Sequence, residues 1–305
     1  MIASLLLAAA LGAACPEQTQ ALKGAADVIE RHYLDVGKGR QIARDVRDWA
    51  QAGRYRESCG DPEAFMAEFN RDLDVHDGHF YFERRGGSEA GGGDWLMAWR
   101  AEGRAVNAGV REVRLLEGNV GYVRLSSFYP WDLAGPKLKA AFALVGDADG
   151  LILDLRQNGG GDDVTAGQLV AALLGPETKT VQDIERRGQR KPDPLPRLDL
   201  PRYPAERRVA VLIDRRSASA AEFVAYSLQA AGRAKVVGGR SGGAAHMFGD
   251  PIPVASRYAL STPDARPVNR ITGSNWEGVG VKPDLAGGDD PIFIARQWLS
   301  RDAGL

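Results

Sequence analysis

The sequence lacks an excess of charge of either sign. Against 39 Lys and Arg stand 40 Asp and Glu in 305 residues, a formal net charge of −1. That balance removes the electrostatic footprint of a general nucleic-acid binder, and with it any broad basic surface for anionic lipid. Long hydrophobic runs are missing too. The run Ile2 to Ala14 has 13 apolar or small residues, and no other stretch approaches the length of about 18 expected of a membrane span. Cysteine is scarce, with Cys15 and Cys59 alone. The glycine runs are followed by no Gly-Lys-Ser/Thr and contain no GxGxxG register, which weakens a nucleotide-binding reading. No internal repeat is present, nor an insertion long enough to hold a separate peptide-binding module.

What is there is ordinary for a globular protein: 44% hydrophobic and 26% charged residues. The 37 glycines are concentrated in short runs. Residues 1–14 read as a signal peptide, with Gly12-Ala13-Ala14 before the cleavage point, although a basic n-region is missing. The expected location is therefore exported, periplasmic or extracellular. In that setting Cys15 and Cys59 favour a disulfide. Membrane association is expected only if Cys15 is lipidated, as a loose lipobox at Leu11–Cys15 allows.

Residues 15–78 read as a small helical domain. Leu22, Ala25, Ala26, Val28 and Ile29 recur at helical spacing, then Ile42, Val46 and Trp49. Asp61-Pro62 supplies a cap and a first helical residue for a third helix. Residues 79–305 read as an α/β core domain. Its apolar runs Val120–Leu125, Leu151–Leu155 and Val209–Ile213 suit buried strands, with helices expected near 135–145, 165–174 and 219–231. The Pro-rich, charged stretch 178–204 reads as a surface excursion.

Four places carry catalytic residue types. Ser219-x-x-Glu222 matches a capping box, and the same geometry places Ser219 beside the Ala220 amide at the positive end of a helix. Gly159-Gly160-Gly161, after the Leu151–Leu155 strand, is an oxyanion-hole turn or a plain turn. Asp72-Leu73-Asp74-Val75-His76-Asp77-Gly78-His79 fits neither the calcium-loop nor the zinc-peptidase pattern, and His79 is its candidate base. Glu277, between Trp276 and Gly278, could orient a histidine or bind substrate.

Together these motifs resemble a known family. Leu-Asp-Leu-Arg-Gln-Asn-Gly-Gly-Gly, then Ser-Ala-Ser-Ala-Ala-Glu, then Asn-Trp-Glu-Gly-Val-Gly-Val-Lys-Pro-Asp resemble the tail-specific (C-terminal processing) serine peptidases. The similar branch is the one holding interphotoreceptor retinoid-binding protein and the tricorn core protease. The resemblance implies a crotonase/Clp-protease-like β-β-α spiral core behind the helical domain, with Ser219 as nucleophile. Ala220 and Gly159 or Gly160 would supply the oxyanion hole, His79 the base, and Glu277 support for the base. His246 is the second candidate base. The lysine of another branch is replaced by Ala244, and the serine before the histidine by Gly78, whose part is absent or falls to another group such as Asp77. The implied function is an exported serine endopeptidase acting on protein or peptide substrates, without cofactor or metal and with homo-oligomerisation left open. Two alternatives stand beside it: a catalytically silent ligand- or peptide-binding protein on the same fold, and acyl-CoA chemistry of crotonase type.

Overall fold

Three N-terminal helices follow from local signals. In the computed structural model, which describes residues 15–85, 94–175 and 177–300, they run Pro16–His32, Val36–Ala52 and Pro62–Asp74. The proposed leader 1–14 lies outside the described residues. Asp35 caps the second helix by accepting the Lys38 N–H at 2.7 Å, so that helix begins at Val36, ahead of the apolar positions Ile42, Val46 and Trp49. Asp61 caps the third by accepting Ala64 N–H at 3.0 Å, with Pro62 first in the helix. Cys15 and Cys59 form a disulfide with Cα atoms 5.9 Å apart.

These helices belong to a unit formed by residues 1–91, 186–189 and 246–265. Its core joins Ile29, Tyr33, Ile42, Val46, Phe65, Phe69 and Leu73 to Phe82, Tyr258 and Leu260. The last three lie on an antiparallel sheet with Tyr258–Ser261 between Tyr81–Arg84 and Ile252–Pro253. The helical segment thus shares its core with strands from far along the chain.

The second unit holds residues 92–185, 190–245 and 266–305. Its six-stranded sheet has the order Leu285–Ala286, Ala234–Gly238, Arg208–Ile213, Gly150–Asp154, Val120–Leu125, Val110–Leu116. Neighbours are parallel except for the final antiparallel pair. Leu151, Leu153, Val209 and Val211 face a core shared with helices Trp131–Val145, Asp163–Leu174 and Ala220–Ala230. Ile152, Ala210 and Leu212 face Ala295 and Leu299 of helix Pro291–Ser300. Cover on both faces explains why these strands read as continuous apolar runs.

The Pro-rich stretch is more ordered than a surface excursion. Thr180–Arg186 is a strand whose residues Gln182–Glu185 pair with Arg266–Asn269, and Leu200 and Tyr203 are buried. Helix Trp131–Val145 starts a turn before the expected Gly135, after Pro130, and runs through Pro136.

Candidate functional site

Adjacent parallel strands Gly150–Asp154 and Arg208–Ile213 end on the same side of their sheet, and the loops beyond their carboxyl ends meet there, the usual place for a site in α/β proteins. The loops are bonded to each other. Gln157 N–H donates to Asp214 Oδ1 at 3.0 Å, Ala218 N–H to the Asn158 carbonyl at 2.9 Å, and Ser217 Oγ to the Leu155 carbonyl at 2.8 Å. Ser217 is fully buried in that work, whereas Ser219 is exposed.

Ser219 stands immediately before helix Ala220–Ala230 with φ +53°, a left-handed value. For a residue with a side chain such a backbone costs on the order of 1–3 kcal/mol and clusters at functional sites. Gly160 makes the arrangement possible. A Cβ placed on it would lie 2.8 Å from Ser219 Cβ and 3.0 Å from the Ala220 nitrogen, and its φ is +104°. Of the two glycines expected to donate, Gly160 commits its N–H to Asn158 Oδ1 at 2.9 Å. No described acceptor takes the Gly159 amide, and a Cβ there would meet nothing within 4 Å. Gly160 is thus the point of close approach, and the Gly159 amide is the one of the two that no described acceptor takes.

Glu222 does more than cap. Its buried carboxylate accepts Ser219 N–H (2.9 Å) and Ala244 N–H (2.8 Å) on Oε2, and Ser241 Oγ–H (2.5 Å) and Gly243 N–H (2.7 Å) on Oε1. Burial raises its pKa, and these four donors lower it without cancelling the rise. The carboxylate therefore couples the Ser219 backbone to the 241–244 segment. In Glu222→Gln, the amide NH2 faces at least one backbone N–H in either orientation. The expected outcome is a loss of about 2 kcal/mol in denaturant unfolding and a fall in activity exceeding that of surface controls.

Glu277 extends this bracing, accepting Ala245 N–H on Oε2 at 2.7 Å. Beside it, buried Trp276 donates Nε1–H to the Ala244 carbonyl at 3.0 Å, and Gly278 N–H reaches the Gly243 carbonyl at 2.9 Å. Ala244 has no basic group to offer, and the next residue along the chain after Ala245 is His246.

The first unit holds a second cluster. Asp77 lies just after helix Pro62–Asp74, and its side chain is 1% exposed. Oδ1 pairs with His79 Nδ1 at 2.9 Å and accepts His79 N–H at 3.1 Å. Oδ2 pairs with His246 Nδ1 at 2.7 Å and accepts the Tyr33 hydroxyl at 2.8 Å. The two imidazole centroids are 5.7 Å apart. Burial pushes the Asp77 carboxyl up, but the bonds from His246, His79 and Tyr33 outweigh it and hold it well below the usual carboxylate range. A carboxylate accepting at Nδ1 fixes each ring in the tautomer with its basic lone pair on Nε2.

The acidic run 72–79 is therefore divided in space. Asp72 pairs with Arg54 and Tyr55, His76 lies 3.7 Å from Asp45, and Asp77 serves the two histidines. Asp77, His79 and His246 carry metal-ligand atom types within 4.8 Å of one another, but both carboxylate oxygens already accept hydrogen bonds. Motif spacing indicated Ser219, Gly160 and Glu222. It gave no sign of Tyr33, or that one carboxylate would hold both candidate bases.

Residues 119–286 match the profile of Peptidase family S41. A carboxy-terminal-processing protease of Bartonella bacilliformis is 31% identical over 178 residues, 56% of this chain and 39% of that protein. A carboxyl-terminal-processing protease of Synechocystis is 36% identical over 129 residues, 41% of this chain and 28% of that one. The chain thus spans well under half the length of these relatives. A Streptococcus agalactiae lipoprotein shares the fold at TM-score 0.65 and 17% identity, covering 93% of this chain and 96% of its own. Tricorn protease shares it at TM-score 0.60 and 14% identity, over 94% of this chain and 37% of tricorn.

Proposed function

This chain belongs to peptidase family S41, and on that premise we propose that it is an exported serine endopeptidase with Ser219 as nucleophile. The observation that carries the reading is the left-handed backbone at Ser219 with Gly160 packed against it. Helix capping alone needs no such strain.

In this reading Ser219 Oγ attacks the substrate carbonyl as an imidazole Nε2 takes the hydroxyl proton. The amides of Ala220 and Gly159 stabilise the tetrahedral oxyanion. Its collapse breaks the C–N bond, and the imidazolium returns the proton to the departing amine. Water then repeats the sequence on the acyl-enzyme and releases the acid. His79 is the base, oriented by Asp77, which takes the part implied for the serine replaced by Gly78. His246 shares that carboxylate and is the second candidate. Glu277 is a positioning residue acting through Ala245.

What favours turnover over silent ligand binding is the Asp77–imidazole pairing, because fixing a tautomer serves proton transfer and does nothing for an apolar ligand. Export is supported by the leader-like residues 1–14 and by the Cys15–Cys59 disulfide, a bond that persists in oxidising compartments. Among the described residues no helix is long and apolar enough to cross a membrane. Cleavage near a substrate's carboxyl terminus, for which the two relatives are named, is the first substrate geometry to try.

The test is labelling with a fluorophosphonate probe, followed by peptide mapping. The label is expected on Ser219, with labelling much reduced in His79→Ala. Labelling that survives His79→Ala and fails in His246→Ala would move the base to His246. A wild type that neither labels nor cuts an unfolded protein would sink the peptidase reading.

A further inference from the structure

The proposed mechanism gives both imidazoles on Asp77 a part and leaves the third side chain on that carboxylate without one. Tyr33 follows helix Pro16–His32 as its C-cap, with an extended backbone (φ −56°, ψ 136°) and its N–H still on the Ile29 carbonyl at 2.9 Å. Its ring is buried in the core of the first unit, and its hydroxyl donates to Asp77 Oδ2 at 2.8 Å.

The surroundings fix that ring. It stacks on Phe80 with centroids 5.6 Å apart and planes 20° from parallel. Gly39 lets the second helix approach it, since a Cβ there would lie 3.0 Å from Tyr33 Cβ. The Lys38 ammonium sits 5.6 Å from the ring centroid and donates to the His76 carbonyl at 2.8 Å. One cation therefore braces both the tyrosine and the turn that carries Asp77. The Arg187 guanidinium donates to the Tyr33 carbonyl at 2.9 Å.

A carboxylate has about four acceptor sites, and four donors meet Asp77. Oδ1 takes the ring and the backbone N–H of His79, and Oδ2 takes the ring of His246 and the Tyr33 hydroxyl. Three of these donors belong to the two candidate bases. The Tyr33 hydroxyl is the one that lies outside them, on a ring held by its packing. Burial alone would be satisfied by any acceptor, as at Tyr203, whose hydroxyl donates to the Ala148 carbonyl at 2.9 Å.

We propose that Tyr33 is a positioning residue for the base: its hydroxyl locks the rotation of the Asp77 carboxylate, so that each oxygen stays on its own imidazole while a proton is carried. This role rests on the peptidase reading with Asp77 as the orienting group. It makes the end of the first helix part of the catalytic apparatus, in a segment where no motif pointed to catalysis.

The test is Tyr33→Phe, which keeps the ring and its packing and removes the hydroxyl. Tyr203→Phe is the control, because it removes an equally buried hydroxyl from a backbone carbonyl. On a fluorogenic peptide Tyr33→Phe is expected to lower kcat about tenfold or more, as for a lost hydrogen bond to a charged group, with KM within about twofold of wild type. Tyr203→Phe should keep kcat, whatever it loses in urea unfolding. In the Asp77→Ala background the group to be positioned is gone, so Tyr33→Phe should change the fluorophosphonate labelling rate by less than about twofold. A Tyr33→Phe kcat within about twofold of wild type would overturn the proposal. So would a loss of equal size in both backgrounds, or one matched by Tyr203→Phe, since either marks a merely structural role. A wild type that neither cleaves nor labels sinks the peptidase reading and this role with it. An active wild type with an unaffected Tyr33→Phe sinks the role of Tyr33 alone.

Discussion

Ser219→Ala is expected to lower hydrolysis of an unfolded protein substrate by roughly 10⁴- to 10⁶-fold, because the loss of a nucleophile disables the whole proton-transfer unit. Residual turnover would come from the Ala220 and Gly159 amides and from binding. The same position makes an opposite prediction for stability. At φ +53° any residue with a Cβ is strained, and glycine is not. Ser219→Gly should therefore be as inactive as Ser219→Ala yet more stable by about 1 kcal/mol in urea unfolding, the relief of strain exceeding the entropy cost of glycine. A Ser219→Gly protein less stable than Ser219→Ala would show that the left-handed backbone is not a cost the fold carries for activity.

Asp77→Asn should lower kcat by about 10³- to 10⁴-fold with the fold retained, since exchanging an orienting carboxylate for an amide traps an imidazole in the wrong tautomer. The carboxylate accepts from His79 and His246 at Nδ1 and from the Tyr33 hydroxyl. Asparagine offers one oxygen and an NH2. One ring must then turn its Nδ1 lone pair to the amide and carry its proton on Nε2, where it cannot take another. If kcat in both Asp77→Asn and Asp77→Ala stays within about threefold of wild type, Asp77 does not orient the base.

The same carboxyl has a pH signature. Its pKa is lowered on folding, so below the unfolded value of 3.8 the unfolded chain binds more protons than the folded one. Its contribution is complete above about pH 4 and is lost as the pH falls further. Thermal unfolding between pH 3 and 6 should show wild type losing more of its advantage on acidification than Asp77→Asn does.

Much of the fold was legible because its signals are local. Asp61 before Pro62 starts a helix whatever surrounds it, and the buried strands Gly150–Asp154 and Arg208–Ile213 are apolar throughout because both faces are covered. The candidate nucleophile was legible for a related reason. Ser219, Ala220 and Glu222 act within one helical turn, and the glycine turn directly follows its strand. The strand Thr180–Arg186 was not legible, since its Pro-rich surroundings read as loop and its partner Pro263–Asn269 comes some eighty residues later. Strand identity there depends on pairing more than on intrinsic preference.

By itself, then, the sequence determined the residue types, the local turns and helix starts, and which serine could stand at a helix head. Only the tertiary structure decided what surrounds them. It buried Ser217 and left Ser219 exposed. It bonded Glu222 to a segment about twenty residues on, and brought His246 to Asp77 across 169 positions. Hydrogen bonds need donor and acceptor within about 2.7–3.2 Å and near alignment, so which donor meets which carboxylate is settled when the core has packed and the backbone is fixed.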